Sequence, residues 1–174
     1  MPSLRNLVVR VRGGEPLPDG VTFPLERGER VLTWGRVAGG GIAAATDVGL
    51  RVRPGDGELV LHQWHEISYA SWADGHLHVV DTSGTATAYK LTEPRGVPPA
   101  VREHVDATVI LSQRHLIDMD GESIGVRVVA RRDLRTGRLI WSTVFDHGVQ
   151  PDEELDARAE LLLQAVRRRF AGED

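Results

Sequence analysis

Between residues 30 and 91 the chain is a succession of short alternating segments cut apart by turn chemistry, and no other feature limits its fold as strongly. The segments span residues 30–38, 42–46, 49–53, 58–62, 65–72, 76–81 and 85–91. Their separators, Gly39-Gly40-Gly41, Pro54-Gly55-Asp56-Gly57, Asp74-Gly75 and Ser83-Gly84, supply the positive φ angles that tight hairpins require. Strands joined this closely run antiparallel. A two-residue turn at Asp74-Gly75 pairs Ala73 with His76 and Ser71 with His78.

The flanks read differently. Residues 6–12 alternate as a half-buried strand, and residues 13–28, with three prolines and four glycines, form a surface loop and the best candidate boundary. Val97, Val101 and Val105 then share one helical face, with Pro98 and Pro99 in a first turn that tolerates them. Residues 108–117, 124–132 and 138–146 are three more strands, split by hairpin chemistry at 118–121 and 135–137. A last helix starts at Pro151, with acids at its positive end and Arg167, Arg168 and Arg169 at its negative end. Its apolar stripe is Leu155, Ala159, Leu162, Leu163, Val166 and Phe170.

With 174 residues, 41% of them hydrophobic, the chain can bury a real core as one compact domain or a small domain plus an extension. It has no cysteine, which excludes disulfides, thiol catalysis and thiolate metal sites. A net charge of −4 argues against a dedicated nucleic-acid binder, and no run of residues reaches the apolar length of a membrane span. The expectation is a soluble, cytoplasmic protein. Twenty of its 21 basic residues are arginine, which fits GC-rich coding better than guanidinium chemistry.

Seven antiparallel strands followed by one helix is the element order of a pleckstrin-homology-like (PH-like) barrel, and three local motifs agree with it. The stretch from Ala44 through Thr46-Asp47 to Leu50-Arg51-Val52 resembles the T-D-x-x-L strand pair of bacterial PH-like and GRAM-like domains. Gln63-Trp64-His65-Glu66-Ile67 resembles their P-W-x-x-I strand, with Gln63 at the family's proline. Gly28-Glu29-Arg30-Val31-Leu32-Thr33-Trp34 is similar to the G-E-R-V-L-A-W opening of actinobacterial members. The resemblance covers residues 26–107 and implies a binding scaffold whose ligands include lipid head groups, peptides and other proteins. Packing explains the motifs equally well: Trp64 and Ile67 plug a small barrel, and the Thr46-Asp47 side chains satisfy nearby amides.

The fold expected is therefore α+β. A seven-stranded antiparallel PH-like barrel (residues 26–107) is capped by a short helix, preceded by an amino-terminal strand and loop (1–25), and followed by a three-stranded antiparallel sheet with a carboxy-terminal helix (108–174) packed on it.

Chemistry-bearing candidates are few. His76 and His78 lie on one strand face roughly 7 Å apart, but His65 is about 20 Å away along the strand, too far to join a coordination shell. They are read as exposed-face histidines and only weak metal candidates. His147 follows Asp146 in a loop, and no serine stands in a nucleophile motif. Arg114, Arg127 and Arg131 share the outer face of the second sheet, where they could hold a partner or an anion. The function expected is a non-enzymatic binding or scaffold module with a protein partner and no cofactor, with homo-oligomerisation left open. Two alternatives stand beside it: a metal-dependent or histidine-based hydrolase using His76, His78 or His147, and binding of anionic lipid or phosphate through the arginines.

Overall fold

The structure, a computed structural model, describes residues 16–19, 21 and 23–172, so the strand expected over residues 6–12 lies outside the described residues. The chain divides into two compact units that meet in sequence at Ala107 and Thr108.

In the first unit, turn chemistry sets the strand order. Seven antiparallel strands, β1 (Val31–Val37), β2 (Gly41–Thr46), β3 (Gly49–Arg53), β4 (Val60–Gln63), β5 (Ile67–Ala73), β6 (His76–Asp81) and β7 (Ala86–Glu93), form one sheet in the order β4-β3-β2-β1-β7-β6-β5. At the β5–β6 hairpin Asp74 and Gly75 take φ of 51° and 75°, and Ala73 pairs with His76 and Ser71 with His78, the register the turn demands. Helix α1 (Val97–Thr108) follows.

The sheet is not closed into a barrel, which corrects the expectation of closure. The cause is a single 3-10 turn, Trp64–Glu66, inserted where the alternation reads as strand. It redirects the chain so that β5 pairs with β6 while the four-residue β4 pairs with β3, and no ladder joins β4 to β5. The sheet encloses its core nonetheless. Val97, Val101 and Val105 of α1 pack against Ala43, Ala45, Leu50, Val52, Trp64, Ile67, Leu77, Val79, Tyr89 and Leu91.

Strand β2 is buried along its whole length. Ala43 and Ala45 face that core, whereas Ile42 and Ala44 face a second cluster with Trp34 and Phe23. Leu17 and Val21 from the expected loop pack on this outer cluster, so its prolines and glycines break regular structure without detaching the segment. Small alanines suit a strand that must fit between two packed layers.

In the second unit β8 (Val109–Met119), β9 (Glu122–Arg132) and β10 (Leu139–Phe145) form an antiparallel sheet in the order β10-β9-β8, with helix α2 (Glu153–Ala171). The Asp152 side chain accepts the Leu155 amide at 2.8 Å as an N-cap, and Gly172 ends the helix at φ 76°. Leu155, Ala159, Leu163 and Val166 are buried against Ile117, Val126 and Val128. Phe170, read as part of the buried stripe, is 46% exposed and meets Trp141 edge-on at 5.4 Å. Leu163→Ala is expected to lower the stability of this unit by about 2 kcal/mol, the lower end for a deleted core leucine because one side of it reaches solvent; urea unfolding checks this.

No helix among the described residues is long and apolar enough to cross a membrane.

Candidate functional site

The most polar buried arrangement joins two of the sequence motifs. Glu29 stands before β1, and Arg51 lies in β3 on the face opposite Leu50 and Val52. Arg51 donates through both Nε and Nη2 to the Glu29 carboxylate at 2.6 Å each, a bidentate pair with the Glu29 side chain fully buried and that of Arg51 6% exposed. The Glu26 amide adds a third donor at 2.8 Å. Burial pushes the Glu29 carboxyl up, but the Arg51 guanidinium, the Thr46 hydroxyl and the Glu26 amide outweigh it and hold the group below its ordinary value.

Next to this pair, Arg30 donates its amide and Nε to Asp47 at 2.9 and 3.0 Å. Thr46 Oγ1 accepts the Val48 and Gly49 amides at 3.1 Å each, and the Trp64 indole donates to the Thr46 carbonyl at 3.0 Å. Glu29-Arg30, Thr46-Asp47, Arg51 and Trp64 thus form one interlocked support. The sequence reading found the Thr46-Asp47 turn and the Trp64 plug but missed the ion pairs. Their signal was present, as a charge of each sign in each of the two motifs.

A second polar contact joins β4 to β7, where His62 Nε2 lies 2.7 Å from the Tyr89 hydroxyl. Burial lowers the His62 pKa against opposing attraction from Asp81 and Glu66, and burial raises that of Tyr89. The Asp81 carboxylate caps its own loop, accepting from the Ser83 hydroxyl and the Ser83 and Thr85 amides.

His76 and His78 come together on β6 with ring centroids 6.0 Å apart, and His76 Nδ1 is 2.9 Å from the Asp74 carbonyl. Among the described residues no group of three or more His, Asp or Glu could hold a metal ion. His104 Nδ1 is engaged by the Ala100 carbonyl at 2.9 Å beside the Trp64 ring, and His147 is exposed after β10.

The three arginines of the second sheet separate in character. Arg131 is 6% exposed and donates to Thr108 Oγ1 at 3.0 Å, so it is not on offer to solvent. Arg114 and Arg127 stand directly opposite each other across β8 and β9 and are both exposed. Arg114 is bound to Asp146 at 2.5 Å.

The remaining feature is β5, an edge strand of its sheet among the described residues. Its seven residues, Ile67 to Ala73, carry no charge, although sheet edges are ordinarily guarded by charge or proline. Tyr69 and Trp72 project from it at 59% and 41% exposure. The strand expected over 65–72 is present from Ile67 to Ala73, His65 and Glu66 falling in the 3-10 turn, and its edge position follows only from the sheet order.

Compared with protein-family models, with curated proteins and with solved structures, the chain matches none.

Proposed function

We propose that this chain is a non-enzymatic binding module of the cytoplasm. Its first unit is a PH-like scaffold with an open sheet, and a protein partner adds an extended segment to β5. The element order of seven antiparallel strands and a helix supports the scaffold, as do the positions of the motifs: the T-D pair at the β2–β3 turn and the tryptophan at the β4–β5 bend.

The observation that carries the partner is the uncharged β5 edge with Tyr69 and Trp72 beside it. The outer side of an edge strand offers main-chain donors and acceptors to a peptide, and exposed aromatic rings supply apolar anchorage at low entropic cost. The polar groups that would otherwise suggest chemistry are used by the fold: Glu29 by Arg51, His62 by Tyr89 and Asp81 by its own loop.

The test compares proteins captured from a native lysate by the wild type and by a Tyr69→Ser/Trp72→Ser variant, each verified as folded by circular dichroism. A partner held saturably by the wild type and released at least tenfold more readily by the variant is expected. Identical partners at equal affinity, or none with either chain, would refute the proposal.

A further inference from the structure

We propose that Arg114 and Arg127 form an oxyanion site on the second unit, occupied by the chain's own Asp146 carboxylate, which an external phosphate or carboxylate group displaces. Three observations lead there, none of them involving the β5 edge.

The first is the register. Arg114 on β8 faces Arg127 on β9, and like charges directly opposed across a ladder repel unless an anion lies between them. Asp146, just past β10, supplies that anion. Arg114 Nη2 and Nε donate to its two oxygens at 2.5 and 3.4 Å, and the hydrogen bonds and charge of Arg114, with the charge of Arg127, hold the Asp146 carboxyl below its ordinary value. Among the described residues Arg127 makes one long hydrogen bond, at 3.4 Å to Ser112 Oγ. A planar fork of five donors used so lightly retains capacity for further oxygens.

The second is the floor. The Arg114–Asp146 pair crosses the sheet above Gly125 of the central strand, where an added Cβ would fall on Asp146 Oδ2 and crowd Arg114 Nη2. Gly125 lies outside the residues of positive φ, so the backbone angle does not demand glycine. Glycine inside a strand weakens it and marks a place where another group must come close. Here it makes a recess for a carboxylate beside the Arg114 guanidinium.

The third is access. The Arg114 and Asp146 side chains are 50% and 42% exposed, and Asp146 begins the loop to α2 that contains Gly148 at φ 84°. Leu116 and Val144 flank the pair on the same face at 58% and 41% exposure. An exposed carboxylate delivered by a loop is an exchangeable occupant in a way that the buried Glu29 carboxylate is not.

The experiment titrates the full-length chain with inorganic phosphate, and separately with succinate, at constant ionic strength, following the Nε–H resonances of Arg114 and Arg127 by NMR. Asp146→Asn is expected to give saturable shifts of both arginines at a concentration at least tenfold lower than in the wild type. Adding Arg114→Gln in that background should abolish them. The tighter of the two probes identifies the group as phosphate or carboxylate. The proposal is overturned if neither probe shifts the arginines of Asp146→Asn saturably, or if Arg114→Gln leaves the response intact. Asp146→Ser keeps the test open should the asparagine variant fold poorly.

Discussion

Trp64→Ala is expected to unfold the first unit more readily than any other single truncation in the chain, by about 3–5 kcal/mol. Trp64 is 1% exposed and the largest fully buried side chain. Its ring lies 5.1 Å from that of His104 on α1, and its indole N–H donates to the Thr46 carbonyl at the β2–β3 turn. Truncation therefore removes the filling between sheet and helix and also strands a buried acceptor. For a unit of roughly a hundred residues such a loss corresponds to a melting temperature lower by more than about 12 °C. Trp64→Phe keeps most of the apolar volume and should cost about 1–3 kcal/mol, mainly from the orphaned carbonyl. Urea unfolding read from first-unit resonances separates the two; equal losses would show that the apolar filling carries no weight beside the hydrogen bond.

Arg51→Met is the second large effect, expected to cost about 3–5 kcal/mol because it leaves a carboxylate with a fully buried side chain and no cation. Glu29→Gln should cost less, about 2 kcal/mol, since the guanidinium it abandons can turn to Glu26, whose half-exposed carboxylate is already 3.8 Å away. The pair also sets an acid dependence. The folded Glu29 carboxyl lies below its ordinary value of 4.5, so the stability it contributes is present above that pH. It is lost as pH falls through the folded value. The wild type should accordingly lose stability below about pH 4.5 by a component that Glu29→Gln lacks. Parallel acid-unfolding curves for the two proteins would contradict this.

Much of the architecture was legible because local chemistry determines it. Asp74-Gly75 permits one hairpin geometry, which sets the β5–β6 register before any tertiary contact. The β8–β9 turn, expected over 118–121, narrows to Asp120-Gly121 as β8 runs on to Met119 and β9 starts at Glu122. The acids after Pro151 marked the start of α2 in the same local way, although the helix itself begins at Glu153 with Asp152 as its cap. What escaped was non-local. One 3-10 turn at Trp64–Glu66 decides whether β4 meets β5, and three residues of helix are invisible to a period count over a strand. Arg51 alternates outward from the core, so its burial could not be read from β3; it follows from the preceding segment folding back with Glu26 and Glu29. For the same reason Arg114, Arg127 and Arg131 looked equivalent. One is buried and bonded to Thr108, and Asp146, reaching from beyond the third strand, takes another.

The claim that the charged motif residues support the fold is tested most directly by a double-mutant cycle of Glu29→Gln and Arg51→Met in urea unfolding. The expected outcome is a coupling of about 2 kcal/mol or more, with the double variant less damaged than the sum of the single ones. Additive, near-zero losses would contradict it, because the two residues would then be dispensable to the first unit and their charges free for another task.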